Sequence, residues 1–225
     1  MKTNIALALL SIASANAAVL VNPTGIAYTT TPSQELGGLN LDNENNLING
    51  NGLSAIPDFG NYTSVTHAAA SFSAPGNAWT TIDPGGSTAD FYAAGGIAPV
   101  FDITLDQTYP LSDFVFWGYH FNTPGGNEGR EFLLEFSTDG GSTIASSTTV
   151  STPVGTLAVQ NALTLPLGGT FDANFVRMTV TDNQFGGAPG GDRLGMGEIR
   201  FIAVPEPSTA LLGSLALLGL IRRKR

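Results

Sequence analysis

The 225-residue sequence contains no cysteine and only two histidines, His67 and His120. The lack of cysteine excludes disulfide bonds, cysteine-based zinc sites and thiol nucleophiles. A Ser-His-Asp triad would have to use one of the two histidines. The sequence also has no G-x-S-x-G, H-E-x-x-H or P-loop motif, so the best-marked enzyme classes are absent from it.

Basic residues are scarce too, and most of them lie at the two ends of the chain. Between Lys2 and the basic C-terminus there is no lysine, and the four arginines are Arg130, Arg177, Arg193 and Arg200. With Glu206 set aside, 17 acidic residues oppose them, which gives the body a net charge of about −13. A protein that binds a nucleic-acid backbone needs clustered lysine and arginine, so we expect no nucleic-acid partner. The composition suits a secreted protein or one that binds neutral sugars or cations.

The N-terminus has the three parts of a secretory signal peptide. Lys2 is followed by an apolar run over residues 5–12 and by the small residues Ala15, Asn16 and Ala17. The apolar run is too short to span a bilayer. We predict a signal helix over residues 1–17 that is cleaved after Ala17 following export by the Sec machinery; the alternative is a buried N-terminal helix.

The C-terminus, residues 204–225, also has three parts. Pro205, Glu206 and Pro207 precede an apolar segment over residues 209–221, and the chain ends with Arg222, Arg223, Lys224 and Arg225. The unbroken apolar part, residues 210–221, would form a helix about 18 Å long, shorter than the hydrocarbon core of about 30 Å. The basic residues favour a cytoplasmic C-terminus, so the body would face outward.

This tail resembles the PEP-CTERM sorting signal of Gram-negative bacteria. The resemblance implies recognition by an exosortase, a membrane transpeptidase, and cleavage near Pro205, Glu206 and Pro207. The protein would be anchored transiently in the inner membrane through a short transmembrane segment and would then reach the cell surface or the extracellular matrix. An ordinary tail anchor is the alternative.

The body, residues 18–203, has the pattern of short β-strands separated by Gly, Pro, Asn and Asp. Phe132, Leu134 and Phe136 alternate with Glu131, Leu133 and Glu135, as expected for a strand with one buried face. The predicted strands cover residues 65–72, 100–105, 113–121, 131–137, 148–150, 162–167, 175–181 and 198–203. Many short strands between turns predict an all-β fold, a jelly-roll β-sandwich.

The order of four segments resembles that of the discoidin or galactose-binding-like jelly rolls. The segments are FDITL at 101–105, FVFWGY at 114–119, FLLEFSTDGG at 132–141 and RLGMGEIRF at 193–201. The resemblance spans about residues 45–203. It departs from the family at Ile144, where an aromatic residue usually follows the S-x-D-G-G turn.

The resemblance also implies a structural calcium site. Residues 47–54 (LINGNGLS) resemble the loop that binds Ca²⁺ in this family, and Glu198 matches its last-strand glutamate. Because Ca²⁺ binds six to eight oxygens, Asn49, Ser54 and Glu198 are the candidate ligands. Asn49 departs from the aspartate more usual there. The alternative is an Asn/Gly loop that satisfies its own backbone and is capped by Glu198.

Two long loops, residues 120–130 and 182–193, are the candidate sugar-binding surface. In this fold family loops at one end of the sandwich bind sugar, and an aromatic ring with amides or arginine suits a sugar. The predicted contacts are Phe185, His120, Asn122, Arg130 and Asn183. Both loops could instead be solvated connections, and Trp79 and Trp117 are predicted to be core residues.

The predicted function is therefore non-catalytic carbohydrate binding in association with exopolysaccharide. A purely structural component of a biofilm matrix is the second hypothesis. A polysaccharide-acting enzyme is the third, with Glu128 and Glu131 on either side of Arg130 as its carboxylate pair; the alternative for these two residues, which the sequence favours, is a solvated acidic face. Non-catalytic carbohydrate binding requires no cofactor; the resemblance adds only the structural Ca²⁺ described above.

Overall fold

A computed structural model describes residues 17–37, 41–71, 73, 75–85, 89–121, 125–158 and 160–204 of the chain. Eight β-strands and two short 3-10 helices occur in these residues. The strands are β1 (Val19–Val21), β2 (Gly25–Tyr28), β3 (Trp79–Thr80), β4 (Val100–Gly118), β5 (Gly129–Ser137), β6 (Ser146–Ser151), β7 (Leu163–Asn183) and β8 (Gly195–Ala203). The 3-10 helices are Glu44–Leu47 and Tyr62–Ser64.

The eight strands are hydrogen-bonded into one continuous sheet, and the long antiparallel pair β4 and β7 belongs to both of its halves, which are called the two sheets below. The first half of β4 pairs with β2 and with the second half of β7, which continues to β5 and β6. The second half of β4 pairs with the start of β7 and with β8, and β8 also pairs with β1 and β3. All these pairings are antiparallel.

Register shifts mark where the long pair passes from one sheet to the other. They lie between Thr104 and Tyr109 and between Leu111 and Asp113 of β4. Bulges of this kind bend a strand and increase its twist. Pro110 lies between the two shifts, where a missing backbone N–H is tolerated, and its carbonyl accepts a hydrogen bond from the N–H of Val204 at 3.0 Å.

The two sheets pack face to face around an aromatic core. Phe132 of β5 contacts Phe114 and Phe116 of β4, with ring centroids 5.0 and 5.1 Å apart. All three rings are fully buried. Contacts between rings from opposite sheets define a β-sandwich, so the predicted all-β sandwich fold is confirmed.

The outer face of the second sheet is covered by loop structure. Val115, Trp117 and Ile202 form a buried cluster with Val65, and the indole N–H of Trp117 donates to the carbonyl of Val65 at 2.9 Å. Trp79 is fully buried in the main core. Both tryptophans are core residues, as predicted.

Strand boundaries differ from the sequence prediction in two ways. The expected strand at 65–72 is wrong, because its described residues form only isolated bridges, at Thr66 and His67. The predicted strands 100–105 and 113–121 belong to one strand, β4, and 162–167 and 175–181 belong to β7. Both long strands run through the polar residues between the predicted segments, with register shifts in their pairing. The predicted helices over residues 1–17 and 209–221 fall, apart from Ala17, outside the described residues.

Candidate functional site

One end of the sandwich gathers the loops that follow β4, β6 and β7. Gly129 lies opposite Asn183, Glu131 opposite Ser151, and Gly118 opposite Met196. A bridge between Glu128 and Gly195 joins the two sheets there. We call this the loop end, formed by the described residues of 119–128, 152–162 and 184–194.

The loop after β7 is held in shape by Asn183, which is buried. The side-chain amide of Asn183 donates to the carbonyls of Gly191 and Arg193, both at 2.9 Å. Its oxygen accepts from the N–H of Phe185 at 3.1 Å. Asn183 was predicted to contact a ligand; both of its N–H donors are used within the loop, so it positions Phe185.

The neighbouring Gln184 fixes the loop after β6. It is fully buried, and its amide donates to Thr152 Oγ1 at 2.9 Å and to the carbonyl of Thr156 at 2.7 Å. Its oxygen accepts from the N–H of Gly155 at 2.8 Å. Two adjacent buried amides therefore order two loops. Gln184 was not among the predicted contacts, although it lies between two of them, Asn183 and Phe185.

Apolar side chains are exposed on all three loops. Phe185 is 41% exposed, Phe121 40% and Val154 53%. A Cβ on Gly187 would lie 2.9 Å from Cγ1 of Val154, so the second and third loops are in close contact. Among the predicted contacts, Phe185 is the one that combines an aromatic ring with large exposure.

The other predicted contacts are placed differently. Arg130 pairs with Asp182 at 2.5 Å and donates to the carbonyl of Thr152 at 3.1 Å, so it braces β5 and the second loop. His120 is buried, 6% exposed. Asn122 lies outside the described residues. Phe185 and the buried His120 thus lie within the loop end. Asn183 and Arg130 lie at the adjoining ends of β7 and β5 and make supporting contacts.

The two carboxyl groups of the predicted catalytic pair have different environments and different partners. Glu128 is fully buried, and its Oε1 accepts from the N–H of Ala158 at 2.7 Å. Desolvation raises the pKa of Glu128 to about 8, only partly opposed by that hydrogen bond. Glu131 accepts from the hydroxyl of Thr181 at 2.8 Å. A buried carboxyl packed against the backbone of Gly118 cannot reach a substrate on the surface.

The predicted calcium ligands do not come together as a metal site. Glu198 is fully buried; its two oxygens accept from the N–H of Gly50 at 3.2 and 3.1 Å, and Oε1 also accepts from Nη1 of Arg200. Asn49 Oδ1 accepts from the N–H of Asn51 at 2.7 Å, and Ser54 Oγ from the N–H of Thr66 at 3.0 Å. Donors thus face the oxygens that a cation would need, so these groups as folded do not fit Ca²⁺.

Acidic and histidine side chains are dispersed elsewhere as well. Within the described residues no group of three or more His, Cys, Asp or Glu side chains could hold a metal ion. Burial is the main cause that raises the pKa of Glu198 to about 7, against the lowering effect of Arg200.

Residues 203–225 match the family model described as the PEP-CTERM protein-sorting motif. The chain carries a PEP-CTERM sorting motif. The motif implies export and a membrane-anchoring step, and it covers only the tail. In the part of the chain that the structure describes, no helix is long and apolar enough to cross a membrane. The motif residues Pro205 to Arg225 lie outside that part.

No curated protein matches the sequence, but solved structures resemble the body. CBM32-3 from a family 31 glycoside hydrolase of Clostridium perfringens is 14% identical, with a TM-score of 0.46, over 82% of this chain and 94% of that one. The C-terminal domain of a Bacteroides fragilis chitobiase is 12% identical, with a TM-score of 0.48, over 83% and 99%.

A third structure, the family 32 carbohydrate-binding module of C. perfringens NanJ in complex with galactose, is 10% identical, with a TM-score of 0.41, over 82% and 98% of the two chains. Two of these three neighbours are carbohydrate-binding modules by name. At such identities and TM-scores they say nothing about what this chain binds.

Proposed function

We propose that the PEP-CTERM protein is an exported, exosortase-processed component of the cell surface or extracellular matrix whose β-sandwich binds carbohydrate without catalysis. The sorting motif supports the route: the Sec machinery and an exosortase are its partners during export, and the C-terminus is cytoplasmic while the protein is anchored. Exopolysaccharide is the proposed ligand.

The observation that carries the binding proposal is the support given to Phe185. Phe185 is 41% exposed, so its apolar ring is in contact with water, which is unfavourable. The fold nevertheless holds the residue in this position through a hydrogen bond from its backbone N–H to the buried amide of Asn183. A fixed aromatic ring can pack against the apolar face of a sugar without paying for ordering on binding. Val154, which is 53% exposed, lies beside Gly187, which is in the same loop as Phe185.

The acidic body narrows the class of polysaccharide. Like charges repel at low ionic strength, so a body with a net charge of about −13 disfavours polyanionic chains. We therefore propose neutral sugar residues as the ligand. Glu128 is buried and cannot serve as a surface acid, which supports the non-catalytic reading.

Phe185→Ala tests the proposal on the processed protein. We expect retention on neutral matrix polysaccharide, in affinity gels or on a glycan array, to weaken about tenfold or more, as for loss of a central aromatic contact. Phe59→Ala is the matched control, because Phe59 is 44% exposed on another loop. It is expected to leave retention unchanged.

Other results would assign the protein elsewhere. If neither the natural protein nor Phe185→Ala is retained by any glycan, the binding proposal fails and a passive matrix component remains. Release of soluble product from the polysaccharide would overturn the non-catalytic reading.

A further inference from the structure

Glu198 and Arg200 form a buried ion pair on one face of β8. They lie two residues apart on the strand, and their side chains are 0% and 5% exposed. Nη1 of Arg200 donates to Glu198 Oε1 and also to the carbonyl of Ile199 at 2.6 Å. A carboxylate taken out of water needs a counter-charge, and here the counter-charge belongs to the same strand.

The Glu198 carboxylate also ties a loop to β8. Both of its oxygens accept from the N–H of Gly50, and the carbonyl of Gly50 accepts from the N–H of Leu53 at 3.2 Å. Asn49 reaches back to Asn46 through a side-chain bond of 3.3 Å. The loop 46–54 is therefore fastened at Gly50 to a group whose charge Arg200 balances.

The pair is next to open space. Arg200, Asn49 and Gly50 line a cavity of about 450 Å³ together with Ile48 and Ile56. A small cation from solvent can thus approach the pair on the side of Arg200 and Gly50, whereas the Glu198 carboxylate itself is fully buried.

From these contacts we propose that the Arg200 guanidinium takes the place of a structural divalent cation at Glu198, and that it holds the loop 46–54 on β8 without calcium. Arg200 supplies a positive charge and hydrogen bonds to the carboxylate, which are what a bound ion would supply. The resulting site is permanent, since it does not depend on calcium outside the cell.

The first test uses the natural processed protein at pH 8, where Glu198 is ionised. Calorimetric titration with CaCl₂ is expected to give no binding heat, and Tm in 5 mM CaCl₂ is expected to equal Tm in EDTA within about 1 °C. A calcium-dependent rise in Tm, or a saturable heat, overturns the proposal.

The second test removes the internal cation with Arg200→Met. Because a lone buried carboxylate is left behind, we expect Tm to fall by about 10 °C. Arg177→Met is the matched control: Arg177 makes two bonds to Asp102, at 2.7 and 3.0 Å, but its side chain is 37% exposed. Its Tm is expected to fall by about 2 °C or less.

The effect of calcium on the Tm of the two variants then distinguishes a site that can accept a cation from an ordinary ion pair. In Arg200→Met, 5 mM CaCl₂ is expected to restore several degrees of Tm, and in Arg177→Met none. If calcium leaves Arg200→Met unchanged, or if the two variants lose equal stability, the proposal fails. If Arg200→Met does not fold, the double variant Glu198→Gln with Arg200→Met is measured instead. No lone charge remains in it, so it is expected to fold and to show no effect of calcium on Tm; a calcium-dependent rise in its Tm contradicts the proposal.

Discussion

Among single residues, Glu128 shows most clearly how burial sets chemistry in this protein. Its carboxyl lies under Gly118 and Ala158 at the point where the two sheets meet. Oε1 accepts one backbone hydrogen bond, and Oε2 accepts none from the described residues. Desolvation disfavours the charged form, which is why the pKa rises to about 8 and the group is mainly protonated at neutral pH.

The raised pKa of Glu128 predicts that folding stability falls with rising pH. The contribution of protonated Glu128 to the free energy of unfolding is complete below the unfolded pKa of about 4.5. It is lost as pH rises towards the folded pKa of about 8. The effect of Glu128 on stability is best measured between pH 6.5 and 8. Burial lowers the pKa of His67, so below about pH 6.5 this histidine makes stability rise with pH and opposes the effect of Glu128. Glu198 adds to the slope below its own pKa of about 7.

Glu128→Gln tests this prediction, because the amide oxygen can still accept from Ala158. Urea unfolding between pH 6.5 and 8 should show the natural protein losing about 2 kcal/mol more than the variant. Parallel pH profiles for the two proteins would show that Glu128 does not hold its proton in the folded state.

At the loop end, residue type alone could not distinguish side chains that support the loops from side chains that are free to contact a ligand. Asn183, Arg130 and Phe185 were all chosen because their side chains suit a sugar. The folded chain uses the hydrogen bonds of Asn183 and Arg130 to order its own loops. Whether a donor is consumed internally depends on tertiary contacts, whereas the burial of Trp79 and Trp117 followed from size and apolar neighbours.

At the scale of elements, the loop after β7 depends on glycine where the backbone meets Phe185. Gly191 has φ of +112°, and a Cβ there would lie 2.5 Å from Cδ2 of Phe185. Gly186 in the same loop has φ of +79°, with nothing within 4 Å of a Cβ. The two positions share a positive φ but differ in contact with the ring.

Gly191→Ala and Gly186→Ala therefore separate backbone strain from displacement of the ring. We expect Gly186→Ala to cost about 1 kcal/mol of unfolding free energy through its left-handed conformation, and Gly191→Ala at least about 2 kcal/mol. Only Gly191→Ala should also weaken polysaccharide retention. Equal losses of stability and unchanged retention in both would show that the ring does not rest on Gly191.

The strands show what alternation in the sequence can and cannot locate. The pattern over residues 131–137 located most of β5 and its buried face, because Phe132, Leu134 and Phe136 point into the core. The middle of β4 escaped because Asp106, Gln107 and Thr108 are exposed where the strand passes between sheets. The strand continues there through a register shift, without an apolar side-chain pattern. β1 and β2 were missed because three or four residues carry too little periodicity.

At the scale of the whole molecule, the strand pairings of the body are complete before the sorting tail begins. β8 ends at Ala203, opposite Val19 of β1 and Leu111 of β4, and the N–H of Val204 bonds to Pro110. Every ladder contact of β8 thus precedes Pro205. The fold of the body needs none of residues 205–225 for these pairings.

Truncation after Val204 tests this independence. We expect the Tm of the truncated protein to equal that of the processed protein within about 2 °C, since no ladder bond is removed. In cells the truncated chain should leave the membrane fraction and fail to reach the surface. Persistence in the membrane fraction would show that anchoring does not depend on the sorting motif.

The pairing of Val19 with Ala203 also gives the molecule a direction. Both ends of the body emerge beside one another, and the strand from Gly195 to Ala203 separates them from the loop end by about 26 Å at the usual rise per residue. Phe185 and Val154 therefore lie at the end of the body opposite to the point where the sorting tail begins. Under the function proposed above, a molecule held by its tail would present this apolar surface away from its point of attachment, so that attachment and ligand binding would use opposite ends of one domain.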